Sequence, residues 1–191
     1  GAFASAGTGW TAGDKEYGIG APANVPCAIS VAAHYARQKD NTTGQFSGSG
    51  TIANFTSWGP VIGNPDKPDV SAPGGDVMAA LSSYTSSTEH TPSNTLNFNG
   101  RTYGFCRLSG TSMSSPFVAG VVALMLEANP YLTPDQVKSI LKETAFLDEF
   151  TEATSPVRYG AGKVDAYQAV MRALNYTGVE RHSVSDSRCR V

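Results

Sequence analysis

One segment limits the possible folds more than any other. Pro116-Phe117-Val118-Ala119-Gly120-Val121-Val122-Ala123-Leu124-Met125-Leu126 carries no charge and is apolar on nearly every face of a helix. Such a helix is expected to lie buried in a large core. Asn129-Pro130 ends it, because proline cannot donate to a further turn and biases its predecessor away from helix. At the other end stands a run of small residues, Gly110-Thr111-Ser112-Met113-Ser114-Ser115. A turn leading into a buried rod is anchored rigidly, which makes Ser112 the candidate for chemistry.

A free hydroxyl is a poor nucleophile. It needs a base to take its proton and donors to hold the oxyanion formed on attack. Amides at a helix start have no partner inside the helix and favour negative charge, so the N–H of Ser112 is one candidate donor. Serines before helices also act as caps, which is the structural alternative for Ser112. Two other readings of the segment are weaker. The esterase elbow Gly-x-Ser-x-Gly has glycine where this chain has Ser114. Cys106, six residues before Ser112, has no Cys-His arrangement to make it a nucleophile.

Residues 110–120 resemble the nucleophile segment of the subtilisin-like serine proteases, a Gly-Thr-Ser-Met run before a Pro-x-Val-Ala-Gly helix. Further blocks resemble the family in the right order. These are Ala21-Pro22-Ala23-Asn24-Val25-Pro26-Cys27-Ala28-Ile29-Ser30-Val31-Ala32-Ala33, Ile52-Ala53-Asn54-Phe55-Thr56-Ser57-Trp58-Gly59-Pro60, Lys67-Pro68-Asp69-Val70-Ser71-Ala72-Pro73-Gly74 and Tyr159-Gly160-Ala161-Gly162-Lys163-Val164-Asp165-Ala166. Together they cover roughly residues 21–174, leaving 1–20 as loop and 175–191 as tail. The resemblance implies an α/β fold with a mainly parallel sheet flanked by helices on both faces, the C-terminal part of a three-layer domain. It also implies an acyl-enzyme on Ser112 and peptide or protein substrates.

The departures matter equally. The family's catalytic aspartate sits in an Asp-Thr/Ser-Gly turn, and no aspartate here is followed by such a pair. Its histidine opens a His-Gly-Thr run, whereas His34, His90 and His182 are followed by Tyr35, Thr91 and Ser183. All three histidines are expected at the surface or in loops. The family's Ala-Gly-Asn run is absent, and Asn64 after Gly63 falls out of order. The resemblance therefore implies the C-terminal half of a catalytic domain, with the missing N-terminal half as partner. Such a piece is expected to be inert alone and prone to self-association. The alternative is a noncatalytic homologue acting as a peptide-binding module. The chemistry requires no cofactor. Structural calcium and a secreted or cell-surface location are implied by the resemblance, with no calcium site assignable.

The chain has 191 residues, 40% hydrophobic and 16% charged, with a formal net charge of −2. A sizeable core is feasible, and without a basic cluster no nucleic-acid partner is expected. The apolar run at 117–126 is too short to cross a bilayer, and no charged-then-apolar leader opens the chain. Cys27, Cys106 and Cys189 form no disulfide framework, and the first two are expected as small buried side chains. The sequons at Asn41, Asn54 and Asn175 are too short to be informative.

Strands are expected near 28–33, 52–58, 77–81 and 101–108, a turn-rich loop at 44–50, and an exposed insertion or hairpin at 82–100. Thr133-Pro134-Asp135-Gln136 opens a second helix, with Thr133 as cap, Pro134 in the first position and Gln136 closing a capping box. Its buried face is expected to carry Val137, Ile140, Leu141 and Ala145. A third helix spans 165–174, with Ala166, Ala169, Val170 and Ala173 on one side. Phe117, where many family members have histidine, is expected to pack, and 177–191 to be exposed.

Overall fold

Strands β1 (Val31–Tyr35) and β4 (Val70–Gly75) are short runs of small and β-branched residues, and they pair in parallel with Val31 opposite Val70 and Ala33 opposite Ala72. The computed structural model describes residues 16–36, 38–39, 46–47, 50–82, 91–152 and 156–176. The expected loop at 1–20 and tail at 175–191 therefore fall largely outside the described residues. Within the expected loop at 44–50 lies β3 (Phe46–Ser47), which pairs antiparallel with β2 (Gln38–Lys39).

Side chains alternate across a strand, so β4 shows two different faces. Val70 and Ala72 pack with Val118, Val121 and Met125 of α1 (Thr111–Ala128). Helices α2 (Pro134–Glu143) and α5 (Ala166–Leu174) complete this core with Val137, Ile140, Leu141, Ala169 and Ala173. Helix α2 starts as its sequence requires. Gln136 N donates to Thr133 Oγ1 at 3.3 Å, and Thr133 N donates to Gln136 Oε1 at 2.8 Å. Asp165 caps α5 by accepting from Gln168 N at 2.9 Å. Two further helical turns, α3 (Glu149–Glu152) and α4 (Pro156–Tyr159), carry no sequence signal of comparable strength. The α/β expectation holds: a parallel pair of strands is covered by helices.

A single residue, Asp76, links β4 to β5 (Val77–Ala80) and turns the chain into a second, antiparallel sheet of order β5-β7-β6. There β6 (Asn94–Phe98), inside the expected insertion or hairpin at 82–100, forms a hairpin with β7 (Arg101–Leu108), the strand expected at 101–108. Its turn, Asn99-Gly100, has φ of 48° and 72°, the left-handed pair that matches strand twist in a two-residue hairpin. Every residue of β6 is exposed.

Several expectations fail for physical reasons. Residues 52–58 form no strand. Ile52 makes one antiparallel bridge to His34, Thr56 N turns back onto Ala53 O, and Thr56 Oγ1 takes the Ala33 N–H at 2.9 Å. A side-chain hydroxyl thus replaces a ladder bond. Helix α1 is buried on one stripe only, Ser114, Val118, Val121 and Met125. Phe117 is 44% exposed and Leu124 50%, so the outer flank of α1 has no cover among the described residues. At 18 residues α1 is the one described helix long and apolar enough to span a membrane, yet its inner stripe packs on β1, β4 and α5 as a core helix does. Cys27 is neither buried nor free: it lies exposed in a turn and is disulfide-bonded. Cys106 is buried and free as expected.

His34 is the largest departure. It is 6% exposed in β1 and faces away from α1, toward Ser71 on the polar side of β4. Ser71 Oγ donates to Gly162 O and lies 3.2 Å from His34 Nδ1, which assigns the ring its Nδ1–H tautomer. Beyond it, Lys163 Nζ meets Asp148 Oδ2 at 2.5 Å, and Tyr159 donates to Gly50 O at 2.9 Å. Burial lowers the His34 pKa to about 4, with the Lys163 charge adding to the effect and the Asp148 charge opposing it. Burial opposes ionisation of Asp148, but the Lys163 hydrogen bond and the Thr151 amide outweigh it and hold this carboxyl below its usual range. A second buried pair fixes residues 26–30. Lys67 Nζ donates to Asp69 Oδ2 at 2.7 Å and to Ala28 O at 2.5 Å, Lys138 reaches Asp69 Oδ1 at 3.1 Å, and Ser30 N donates to Asp69 Oδ2. Burial lowers the Lys67 pKa against the pull of Asp69.

Helix α1 approaches β4 through Gly74. A methyl group there would collide with Ser114 Oγ and come within 2.7 Å of Ala33 Cβ and 2.9 Å of Gly110 O. Ser114 Oγ is fully buried and has no hydrogen-bond partner among the described residues. Two predictions follow from this packing and from the His34 cluster. Because the hydroxyl is desolvated without compensation, Ser114→Ala should raise stability in urea unfolding by about 1 kcal/mol, while Gly74→Ala should lower it by roughly 1–3 kcal/mol through overpacking. Neutral His34 is favoured by the fold, so its stabilisation is complete above pH 6.5 and is lost as pH falls toward 4, where only the unfolded chain takes up a proton. The loss is about 3 kcal/mol. Thermal midpoints measured between these limits should fall with acidification, and His34→Gln should flatten that slope.

Candidate nucleophile site at the start of the central helix

Ser112 occupies the second position of α1 and is exposed. The cap is Gly110, in an extended conformation and with no side-chain cap bond, so the capping role weighed for Ser112 is not the one it has. The turn is pinned from behind. Gly110 N donates to Gly74 O at 2.8 Å, and Met113 N donates back to Gly110 O at 3.0 Å. Among the described residues no acceptor meets the N–H of Thr111 or Ser112. No acidic side chain sits in the first turn to neutralise that positive end. Pro116, four residues on, has no N–H to give the Ser112 carbonyl, so the first turn is held by β4 more than by its own ladder.

An exposed hydroxyl beside two amides that have no acceptor among the described residues, on a turn hydrogen-bonded to the sheet, can attack a carbonyl while those amides stabilise the developing negative charge. A cavity of about 240 Å³ opens beside the turn, with Thr111 and Ser115 on one wall and Ile19, Ala21, Ile29 and Val31 on another. Its lining is uncharged and mixes these apolar side chains with Ser30, Thr56 and Ser57.

The base is not found among the described residues. His34 is the one described histidine, and strand alternation turns it away: Ala33 faces Gly74 and Ser114, so the next residue points through the opposite face of the sheet toward Ser71. His90 and His182 lie outside the described residues. The best-buried carboxylates, Asp69 and Asp148, are engaged by Lys67, Lys138 and Lys163. Among the described residues no three His, Cys, Asp or Glu side chains converge to hold a metal ion. Among the described residues the candidate nucleophile Ser112 therefore has no histidine base and no free buried carboxylate beside it. Gly74, Thr111 and Ser115 complete its surroundings. Their sequence blocks were legible, but a glycine's role as a seat for a distant helix carries no local signal.

Comparisons with known proteins bear on the family and the fold. The model of the subtilase family matches residues 3–170. Serine protease AprX of Bacillus subtilis (strain 168) is 37% identical over 131 residues, 69% of this chain and 28% of its own length. Subtilisin-like protease SBT4.4 of Arabidopsis thaliana is 34% identical over 130 residues, 65% of this chain and 17% of its own. Among solved structures, fervidolysin from Fervidobacterium pennivorans, a keratinolytic enzyme related to subtilisin, matches with a TM-score of 0.59 at 29% identity, covering 79% of this chain and 20% of its own. The prenylagaramide maturation protease PagA matches with a TM-score of 0.56 at 26% identity, covering 84% and 47%. The chain spans less than half the length of each of these relatives. With the sequence match over most of its length and the Ser112 turn set on a sheet-backed helix, the chain belongs to the subtilase family of serine proteases.

Proposed function

We propose that the protein carrying this chain is a serine endopeptidase whose acyl-enzyme forms on Ser112. The observation that supports this most directly is the exposed Ser112 hydroxyl beside amides that have no acceptor among the described residues, on a helix start bonded to the sheet through Gly110 and Gly74. A histidine from polypeptide outside the described residues takes the proton of Ser112 Oγ as it attacks the scissile carbonyl, and an aspartate orients that histidine. The Ser112 N–H helps hold the oxyanion. The amine leaves with the proton, and water hydrolyses the ester by the same route in reverse.

The substrate is a peptide or protein, one of whose side chains enters the neutral cavity beside Thr111 and Ser115. The remainder of the catalytic domain supplies the base, its aspartate and a further oxyanion donor, and it covers the flank of α1 around Phe117 and Leu124. Without it the chain is inert, and that flank promotes self-association. A secreted or cell-surface location fits the disulfide at Cys27, since such bonds persist in oxidising compartments. The mechanism uses no metal or organic cofactor.

The test is hydrolysis of a fluorogenic casein by the full-length protein, by its Ser112→Ala variant and by this chain alone. The full-length protein should turn over, and Ser112→Ala should cut kcat by a factor on the order of 10⁴ or more. The isolated chain should show no Ser112-dependent rate. An unchanged Ser112→Ala rate would refute the nucleophile, and serine-dependent turnover by the chain alone would refute the external base.

A further inference from the structure

Two chain junctions meet behind Ser112, the β4–β5 corner at Asp76 and the β7–α1 turn at Ser109-Gly110. Three kinds of contact join them. Asp76 N donates to Ser109 Oγ at 2.9 Å. Arg107 Nη1 donates both to Asp76 O at 3.2 Å and to Asp76 Oδ2 at 3.1 Å. Gly110 N donates to Gly74 O at 2.8 Å. Asp76 is held at a φ of 56°, a left-handed conformation that aspartate tolerates better than most side chains. The backbone N–H and the backbone carbonyl of Asp76, on the two peptide units that flank its Cα, are thus both claimed by residues just before α1.

We infer that Asp76, Arg107 and Ser109 form a positioning clamp that sets the height and angle of the Ser112 hydroxyl and amide, resting on the nucleophile reading above. An exposed ion pair contributes little to stability, and the Arg107 and Asp76 side chains are 38% and 27% exposed. Their placement has a different consequence. Ser112 follows Ser109 by three residues, and the only polypeptide between them is the small turn itself. Without the clamp, the β5-β7-β6 sheet is free to swing about Asp76, and β7 transmits that motion directly into the turn. Among the described residues, Gly110 N on Gly74 O then remains as the backbone bond that ties the turn to β4. Reaction rate depends on sub-ångström placement of attacking atoms, whereas global stability does not, so the clamp acts on turnover more than on folding.

The test uses the full-length protein with Arg107→Met and Ser109→Ala combined, Arg107→Lys alone, and Thr102→Ala as a control that removes the exposed Thr102–Asn97 bond at the far end of the hairpin. Amide hydrogen exchange over residues 109–114 should quicken by about tenfold in the double variant, with the thermal midpoint little changed. Its kcat should fall on the order of tenfold with KM within about twofold, and Arg107→Lys should recover most of that loss. The control should match the parent in both readouts. Unchanged exchange at 109–114 overturns the clamp, as does a kcat loss shared by Thr102→Ala or an unchanged kcat in a protein that Ser112→Ala inactivates. If Ser112→Ala itself stays active, the nucleophile reading falls, and the exchange arm still decides whether the three residues hold the turn.

Discussion

The site rests on one close approach, that of α1 to the end of β4. Gly74 has no side chain, so Ser114 and Gly110 settle against the strand, and the Gly110 amide reaches the Gly74 carbonyl. Everything that makes Ser112 chemically interesting follows from this contact. A helix end is ordinarily the frayed part of a helix, and its amides are ordinarily solvated. Here the first turn is fastened to a sheet while its outer side stays open, so the hydroxyl is exposed and yet fixed. The buried Ser114 hydroxyl, without a partner among the described residues, lies at the tightest point of that contact.

The parallel pair β1–β4 divides the molecule into unlike halves. Toward α1 it presents Val70 and Ala72 to a dry core. Through the other face it presents His34 and Ser71 to a layer of buried polar groups, where Lys163 pairs with Asp148 and lies within 5.6 Å of the Tyr159 ring. Burying charge is costly unless it is paired and hydrogen-bonded, and each buried ion here has several partners. The same rule governs Asp69, which gathers Lys67, Lys138 and the Ser30 amide. That junction is structural: it binds residues 26–30 to α2, and these residues lead into Ile29 and Val31 on the cavity wall.

What the sequence made legible is what local chemistry decides. The Thr133/Gln136 capping box, the buried Val137, Ile140 and Leu141 of α2, the Asp165 helix and the strand at 101–108 depend on near neighbours, and they appear as read, whereas Ala145 falls beyond the end of α2. The misreadings involve distant partners. His34 looks like a loop histidine until Ser71, 37 residues away, supplies a hydrogen bond that makes burial tolerable. Residues 52–58 have a strand's composition, but Thr56 spends its hydroxyl on Ala33 and turns the chain away from a ladder. Cys27 lies in an apolar stretch, yet it is exposed in a turn and bonded to a partner that local sequence does not reveal. Asp76 shows the same limit: nothing in its neighbourhood announces that one residue must join a parallel sheet to an antiparallel one.

The mismatch at α1 is of another kind. Its apolar faces exceed what the described residues cover, since Phe117 and Leu124, seven residues apart, share one stripe and both stand about half exposed. A helix needs only one apolar stripe to dock on a sheet, and the extra apolar surface contributes nothing to that contact. Apolar side chains on an exposed flank carry a solubility cost that selection ordinarily removes. The surplus is accounted for if the flank faces protein in the working molecule, as it does under the proposed complementation by further polypeptide. On that view the apolar pattern of residues 116–126 encodes the core of a larger domain. It misled as a guide to burial in the chain because helix periodicity records every partner that a helix has, wherever in the polypeptide the partner lies.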